Sequence, residues 1–146
     1  MTRPFRVLLV DDNITDRILA EEAFGLLKQP CTLVTAASGA EALKYLTASD
    51  TVLPDLVLLD VNMPGMDGFT VLSRLKQHPV LGLLPVIMLT TSTADEDVAQ
   101  AYALQASGYV PKVMSFEGFI QQLGSLMEFW TLAKTTTWPT FSQGAE

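Results

Sequence analysis

The chain has 146 residues, 49% hydrophobic and 17% charged, with 16 acidic against 9 basic side chains and a net charge of −7. That length suits one domain with a buried core, and the acidic balance without a basic cluster argues against nucleic-acid binding and against an anionic membrane surface. A single cysteine, Cys31, fits a reducing cytoplasmic location, and no run approaches the roughly 18 apolar residues of a membrane span.

The apolar runs are short and end at turn or polar residues. Phe5–Val10 stops at Asp11-Asp12, Thr32–Ala36 is followed by Ala37 and then Ser38-Gly39, and Leu56–Leu59 stops at Asp60. Val86–Leu89 ends at Thr90, and Gly108–Val110 at Pro111-Lys112. Several are apolar throughout instead of alternating, which predicts strands buried on both faces of a parallel sheet. Helical patterns lie between them. Ile14, Ile18, Ala23, Leu26 and Leu27 recur at roughly helical spacing. Ser38 and Glu41 form a capping-box signature for a helix over Ala40–Leu46. Gly68–Leu75 predicts a third helix, broken at Gln77-His78-Pro79. Thr93 and Glu96 predict a second capping box and a helix running towards Leu104, and Ser115 a cap for a fifth. Alternation of strand and helix predicts a doubly wound α/β sheet of five parallel strands with right-handed crossovers. After Glu128 the chain carries Phe129, Trp130, Trp138 and Phe141, aromatics that must pack on this domain or on another chain.

In open α/β sheets, sites form beyond the carboxyl ends of the strands, at the switch point. The strand ends supply Asp11 and Asp12, Asp60, Thr90 and Lys112. Carboxylates about 5 Å apart repel by roughly 3 kcal/mol at an effective dielectric near 20, so three of them call for a cation. A hard divalent ion with oxygen ligands suits, and Mg2+ is the default. Three negative charges are then offset by the metal and Lys112. A carboxylate beside such an ion, a hydroxyl and an ammonium is equipped to accept a phosphoryl group.

These motifs, in this order, resemble the receiver domain of bacterial two-component response regulators. They are Val-Asp11-Asp12, Leu-Asp60-Val-Asn62-Met-Pro64-Gly-Met-Asp67-Gly68, Leu-Thr90-Thr-Ser92 and Gly108-Tyr109-Val-Pro-Lys112. The resemblance implies a flavodoxin-like fold, with a receiver over residues 1–130, an aromatic tail over 131–146 and no output domain. It implies that Asp60 is the phosphoacceptor, phosphorylated by a sensor histidine kinase with Mg2+ bound by Asp11, Asp12, Asp60 and the backbone carbonyl of Asn62. It implies that Thr90 is the switch hydroxyl, Tyr109 the switch aromatic and Lys112 the cation that pairs with the phosphoryl group. Asn62 and Ser92 fall where the family tunes acyl-phosphate lifetime, and Gly68 would let the loop turn tightly into the third helix. Such a chain signals through protein contacts or onward phosphotransfer and catalyses only its own phosphorylation and dephosphorylation. The resemblance departs at Val113, because the family follows this lysine with proline.

His78-Pro79, Leu-Thr90-Thr-Ser92 and Phe129-Trp130 are also similar to small stand-alone receivers paired with phytochrome-type histidine kinases. That implies a red or far-red light stimulus and a homodimer through the C-terminal helix and tail. Three other functions compete. An aspartyl-nucleophile phosphatase needs Asp-x-Asp after the first strand, whereas Asp60-Val-Asn62 follows the third. A flavodoxin needs a phosphate-cradling loop where Asp11-Asp12 would repel phosphate. A degenerate receiver acting as a scaffold rests on Val113. His78 is expected at a helix end and Cys31 as an apolar filler.

Overall fold

The computed structural model describes residues 4–133. Five strands form one parallel sheet: β1 (Phe5–Val10), β2 (Cys31–Ala36), β3 (Leu56–Leu59), β4 (Val86–Thr90) and β5 (Gly108–Pro111), in the order β2-β1-β3-β4-β5. The helices between and after them are α1 (Ile14–Gly25), α2 (Gly39–Thr47), α3 (Gly68–Gln77), α4 (Asp95–Ala103) and α5 (Phe116–Leu132). The fold is therefore the flavodoxin-like, doubly wound architecture of receivers. The last helix runs two residues beyond the predicted start of the tail, and Trp138 and Phe141 lie outside the described residues.

Unbroken apolar runs mark the inner strands. Every residue of β3 and β4 is buried, whereas the edge strand β2 alternates and β5 is only half-buried. The period of two sends alternate side chains to two cores. Leu8, Val10, Val57, Leu59, Val86 and Met88 join residues from α2 and α3, Ala101 of α4 and Ala106 on one face. Val7, Leu9, Leu56, Leu58, Ile87 and Leu89 join residues from α1 and α5 on the other.

The caps explain where most helices start. Ser38 Oγ accepts from the Glu41 amide at 3.1 Å, and Ser115 Oγ from the Gly118 amide at 3.1 Å, as expected. Asp67 caps α3 through the Thr70 amide at 2.9 Å. The Thr93 capping box does not form. The N-cap of α4 is Ala94, without a side-chain cap, and the helix starts at Asp95. Ser92 is tied to its neighbours on both sides, and its hydroxyl reaches forward to Asp97 Oδ2 at 2.5 Å. That bond anchors the first turn from outside the expected frame. In α1 the buried face is Ala20, Ala23 and Phe24, while Ile14 and Ile18 stay 63% and 49% exposed. His78 ends α3, its Nδ1 accepting from the Val80 and Leu81 amides, both at 3.1 Å. Cys31 is half-buried against the α1–α5 core.

At the amino end of the sheet, Lys76 Nζ donates to the Gly82 and Leu84 carbonyls, each at 3.0 Å. These residues, with Pro85, Ser107 and Trp130, line a cavity of about 230 Å3. Burial lowers the Lys76 pKa. Among the described residues no helix is long and apolar enough to cross a membrane.

Candidate functional site

The strand order reverses between β1 and β3, which places their carboxyl ends side by side at the switch point. Val10 pairs with Leu59, and the Asp60 amide donates to the Val10 carbonyl at 3.0 Å. Asp11 and Asp60 therefore leave adjacent strands at one level. One carboxylate oxygen each from Asp11, Asp12 and Asp60 lie within 4.8 Å of one another. Asp11 and Asp60 are 1% and 7% exposed, and Asp12 is open to solvent.

Each acid has a distinct setting. Asp11 Oδ1 accepts from the Asn13 amide at 2.9 Å, and its backbone carbonyl from Arg17 Nη1 at 2.7 Å. Asp60 Oδ1 accepts a long bond, 3.4 Å, from the Asn62 amide. Burial raises the Asp60 pKa above the usual carboxylate range. The Lys112 charge and the nearby Thr90 hydroxyl oppose that shift, and the Asp11 charge adds to it. The group is thus an under-neutralised carboxylate, the condition under which a further cation is favourable.

The far side of the sheet supplies Thr90 and Lys112. The Lys112 amide donates to the Thr90 carbonyl at 2.7 Å, so β5 delivers its lysine beside the end of β4. Its ammonium, with a side chain 5% exposed, donates to Asp11 Oδ2 at 2.6 Å and Asp16 Oδ2 at 2.9 Å, and stands 3.9 Å from Asp60 Oδ2. Burial works against its charge. The hydrogen bonds to Asp11 and Asp16 and the charges of Asp11 and Asp60 outweigh that and hold its pKa above the ordinary value.

Thr90 is fully buried, and its Oγ1 accepts from the Ser92 amide at 3.3 Å. Tyr109, half-buried, donates its hydroxyl to the Ser92 carbonyl at 2.9 Å. Ser92 therefore joins Thr90, Tyr109 and, through Asp97, helix α4. Asn62 is exposed on the loop after β3. Gly68 lies directly under that loop, its amide donating to the Val61 carbonyl at 2.9 Å.

The predicted residues Asp11, Asp12, Asp60, Thr90 and Lys112 come together here. Two contributors were not predicted. Asp16 is a fourth carboxylate that shares Lys112, and it is 96 residues away in sequence. Gln122 holds the loop around Lys112, its Nε2 donating to the Pro111 carbonyl at 2.6 Å and its Oε1 accepting from the Val113 amide at 3.0 Å. The Val113 N–H that a proline would lack is thus in use.

The arrangement fits a hard divalent cation. The clustered donors are carboxylate oxygens, their combined charge exceeds that of the single ammonium, and no soft ligand is among them. It also presents a carboxylate nucleophile with an ammonium and a hydroxyl beside it.

The family model described as the response regulator receiver domain matches residues 7–123. The probable methanogenesis regulatory protein FilR2 of Methanothrix harundinacea is 37% identical over 130 residues, spanning 87% of this chain and 84% of that protein. Response regulator Rcp1 of Synechocystis sp. is 31% identical over 140 residues, 93% of this chain and 94% of that protein. The crystal structure of the Mn2+-bound form of response regulator Rcp1 matches with a TM-score of 0.82 and 31% identity, over 90% of this chain and 98% of that one. The phosphorylated cyanobacterial phytochrome response regulator RcpA matches with a TM-score of 0.85 and 33% identity, over 91% and 99%.

Proposed function

The chain belongs to the response regulator receiver domain family, and on that premise we propose that it is a phosphorylation switch with Asp60 as its phosphoacceptor. The observation that carries this is the nearly buried Asp60 carboxylate at the switch point, with two more carboxylates within 4.8 Å and Lys112 Nζ at 3.9 Å. The ionised Asp60 oxygen attacks phosphorus. The O–P bond forms as the P–N bond of a kinase phosphohistidine breaks, and the imidazole leaves with a proton from solvent. Lys112 spends two of its three N–H donors on Asp11 and Asp16 and has the third for a phosphoryl oxygen. The Thr90 hydroxyl, at the end of the neighbouring strand, follows the new oxygens, and the Ser92 bonds pass that displacement to Tyr109 and α4.

Asp11, Asp12, Asp60 and the Asn62 backbone carbonyl would hold Mg2+. The ion supplies positive charge that lets two anions meet. A relative bound to Mn2+ and a relative in phosphorylated form support this reading. The likeness to a cyanobacterial phytochrome response regulator supports a phytochrome-type histidine kinase as the upstream partner, and with it a red or far-red light stimulus and a cytoplasmic setting. The receiver spans residues 1–130 and turns over nothing but its own acyl phosphate.

Intact mass after incubation with Mg2+ and acetyl phosphate tests the proposal. The expected result is one added phosphoryl group, labile to hydroxylamine and absent in Asp60→Asn. No gain in the native chain, while a control receiver is labelled, overturns it.

A homodimer through α5 and the segment after it completes the reading. Phe129 and Leu132, 62% and 81% exposed on that helix, would supply the dimer's apolar contacts. Deleting residues 134–146 is expected to give a monomer by light scattering; an unchanged mass would remove that segment from the interface.

A further inference from the structure

Lys112 is held at its ammonium by carboxylates, but its backbone is held by a single side chain. Gln122, on the second turn of α5, bonds the Pro111 carbonyl at 2.6 Å and the Val113 amide at 3.0 Å. One side-chain amide thus closes a ring around the Lys112 peptide unit. The third polar group of this stretch, the Lys112 amide, is committed to the Thr90 carbonyl at 2.7 Å. β5 is an edge strand only four residues long, so no second neighbouring strand fixes its end. The Val113 side chain meanwhile lies against Gly118, where a Cβ would collide with Val113 Cγ1. The turn carrying Lys112 is therefore fastened to α5 by Gln122 and by this close fit.

We propose that Gln122 is a positioning residue for phosphoryl transfer, fixing the Lys112 peptide so that the ammonium meets the Asp60 cluster. The proposal rests on the reading of Asp60 as phosphoacceptor and of Lys112 as the cation for its phosphoryl oxygens. A lysine stem has several rotatable bonds, so a loosened backbone spreads the ammonium over positions of which few face Asp60. Misplacement by about 1 Å can cost as much as 100-fold in rate. Both hydrogen bonds sit at the surface, so their loss should alter position more than stability.

The test is a double-mutant cycle on the rate of acyl-phosphate formation from acetyl phosphate with saturating Mg2+. Gln122→Met keeps side-chain length and helix propensity while removing both bonds. It is expected to slow phosphorylation roughly 5- to 10-fold, within that 100-fold ceiling, with the thermal midpoint nearly unchanged. In a Lys112→Ala background the same substitution is expected to slow it no further. A Gln122→Met chain as fast as the native one overturns the proposal. So does an equal slowing in both backgrounds, which would mean that Gln122 acts independently of Lys112. A native chain that takes up no phosphoryl group overturns the underlying reading and this one with it, and is distinguishable because no variant comparison is then needed.

Discussion

Replacing Gly68 by alanine is expected to cost about 3 kcal/mol of stability, the upper range for an overpacked site, and to lower the unfolding midpoint by roughly 10 °C. A Cβ at this position would collide with the backbone carbonyl oxygen of Asp60 and come within 2.9 Å of Val61 Cα. Those are backbone atoms, which cannot step aside by changing rotamer. The strand end must shift instead, and with it the Asp60 carboxylate. Loss of stability should therefore be accompanied by loss of phosphoryl uptake. Gly65 is the contrasting case. Its φ of +75° favours glycine, but nothing lies within 4 Å of the added carbon, so Gly65→Ala should cost only about 1 kcal/mol. Thermal unfolding of both variants checks the pair; equal losses would show that the contact with Asp60 is not what sets the cost.

Asp60→Asn should make the metal-free protein more stable at neutral pH. The sign follows from linkage. The folded-state pKa of Asp60 is raised, chiefly by burial and further by the Asp11 charge. A group shifted that way favours the folded state below its unfolded pKa, near 3.9, and that contribution is lost as pH rises through the folded value. At pH 7 the ionised carboxylate therefore works against folding, and an amide of the same shape does not. Lys112 loses little in the variant, since its hydrogen bonds go to Asp11 and Asp16. The difference should shrink as pH falls through the folded pKa. It should also shrink when Mg2+ is added, because an ion bound by the folded native chain stabilises it by mass action. Unfolding midpoints at pH 7 and pH 4, with and without Mg2+, read all three effects. A variant less stable than the native chain at pH 7 without metal would contradict the electrostatic account.

The inner strands were legible because burial on both faces leaves β3 wholly apolar and β1 and β4 with one polar residue each, Arg6 near the start and Thr90 at the end, and the site was legible because a parallel sheet puts its strand ends on one edge. Asp11, Asp60, Thr90 and Lys112 could be named from position alone. What escaped depends on contacts with no local signature. Thr93 and Glu96 have the capping spacing, but Ser92 is held by Thr90 and Tyr109 and takes Asp97 instead, so α4 begins without a side-chain cap. The periodicity of α1 includes Ile14 and Ile18, yet the sheet receives the smaller Ala20 and Ala23, and the isoleucines face outwards. Asp16 and Gln122 become neighbours of Lys112 only once α1 and α5 have docked on the same face of the sheet. Nothing in either local sequence distinguishes them from solvated helix residues.

Trp130 gives the molecule an optical consequence. Its indole lines the cavity beside Lys76, Leu84 and Pro85, and it meets the Phe129 ring edge-on at 5.3 Å. Leu84 and Pro85 precede β4, whereas Thr90 ends it, so about five strand residues, roughly 16 Å, separate this indole from the acidic cluster. No charge placed on Asp60 touches it. In a chain with Trp138 replaced by phenylalanine, a change in emission on phosphorylation would register α5 sliding along the sheet as a body, while constant emission would confine the rearrangement to the end where the phosphoryl group sits.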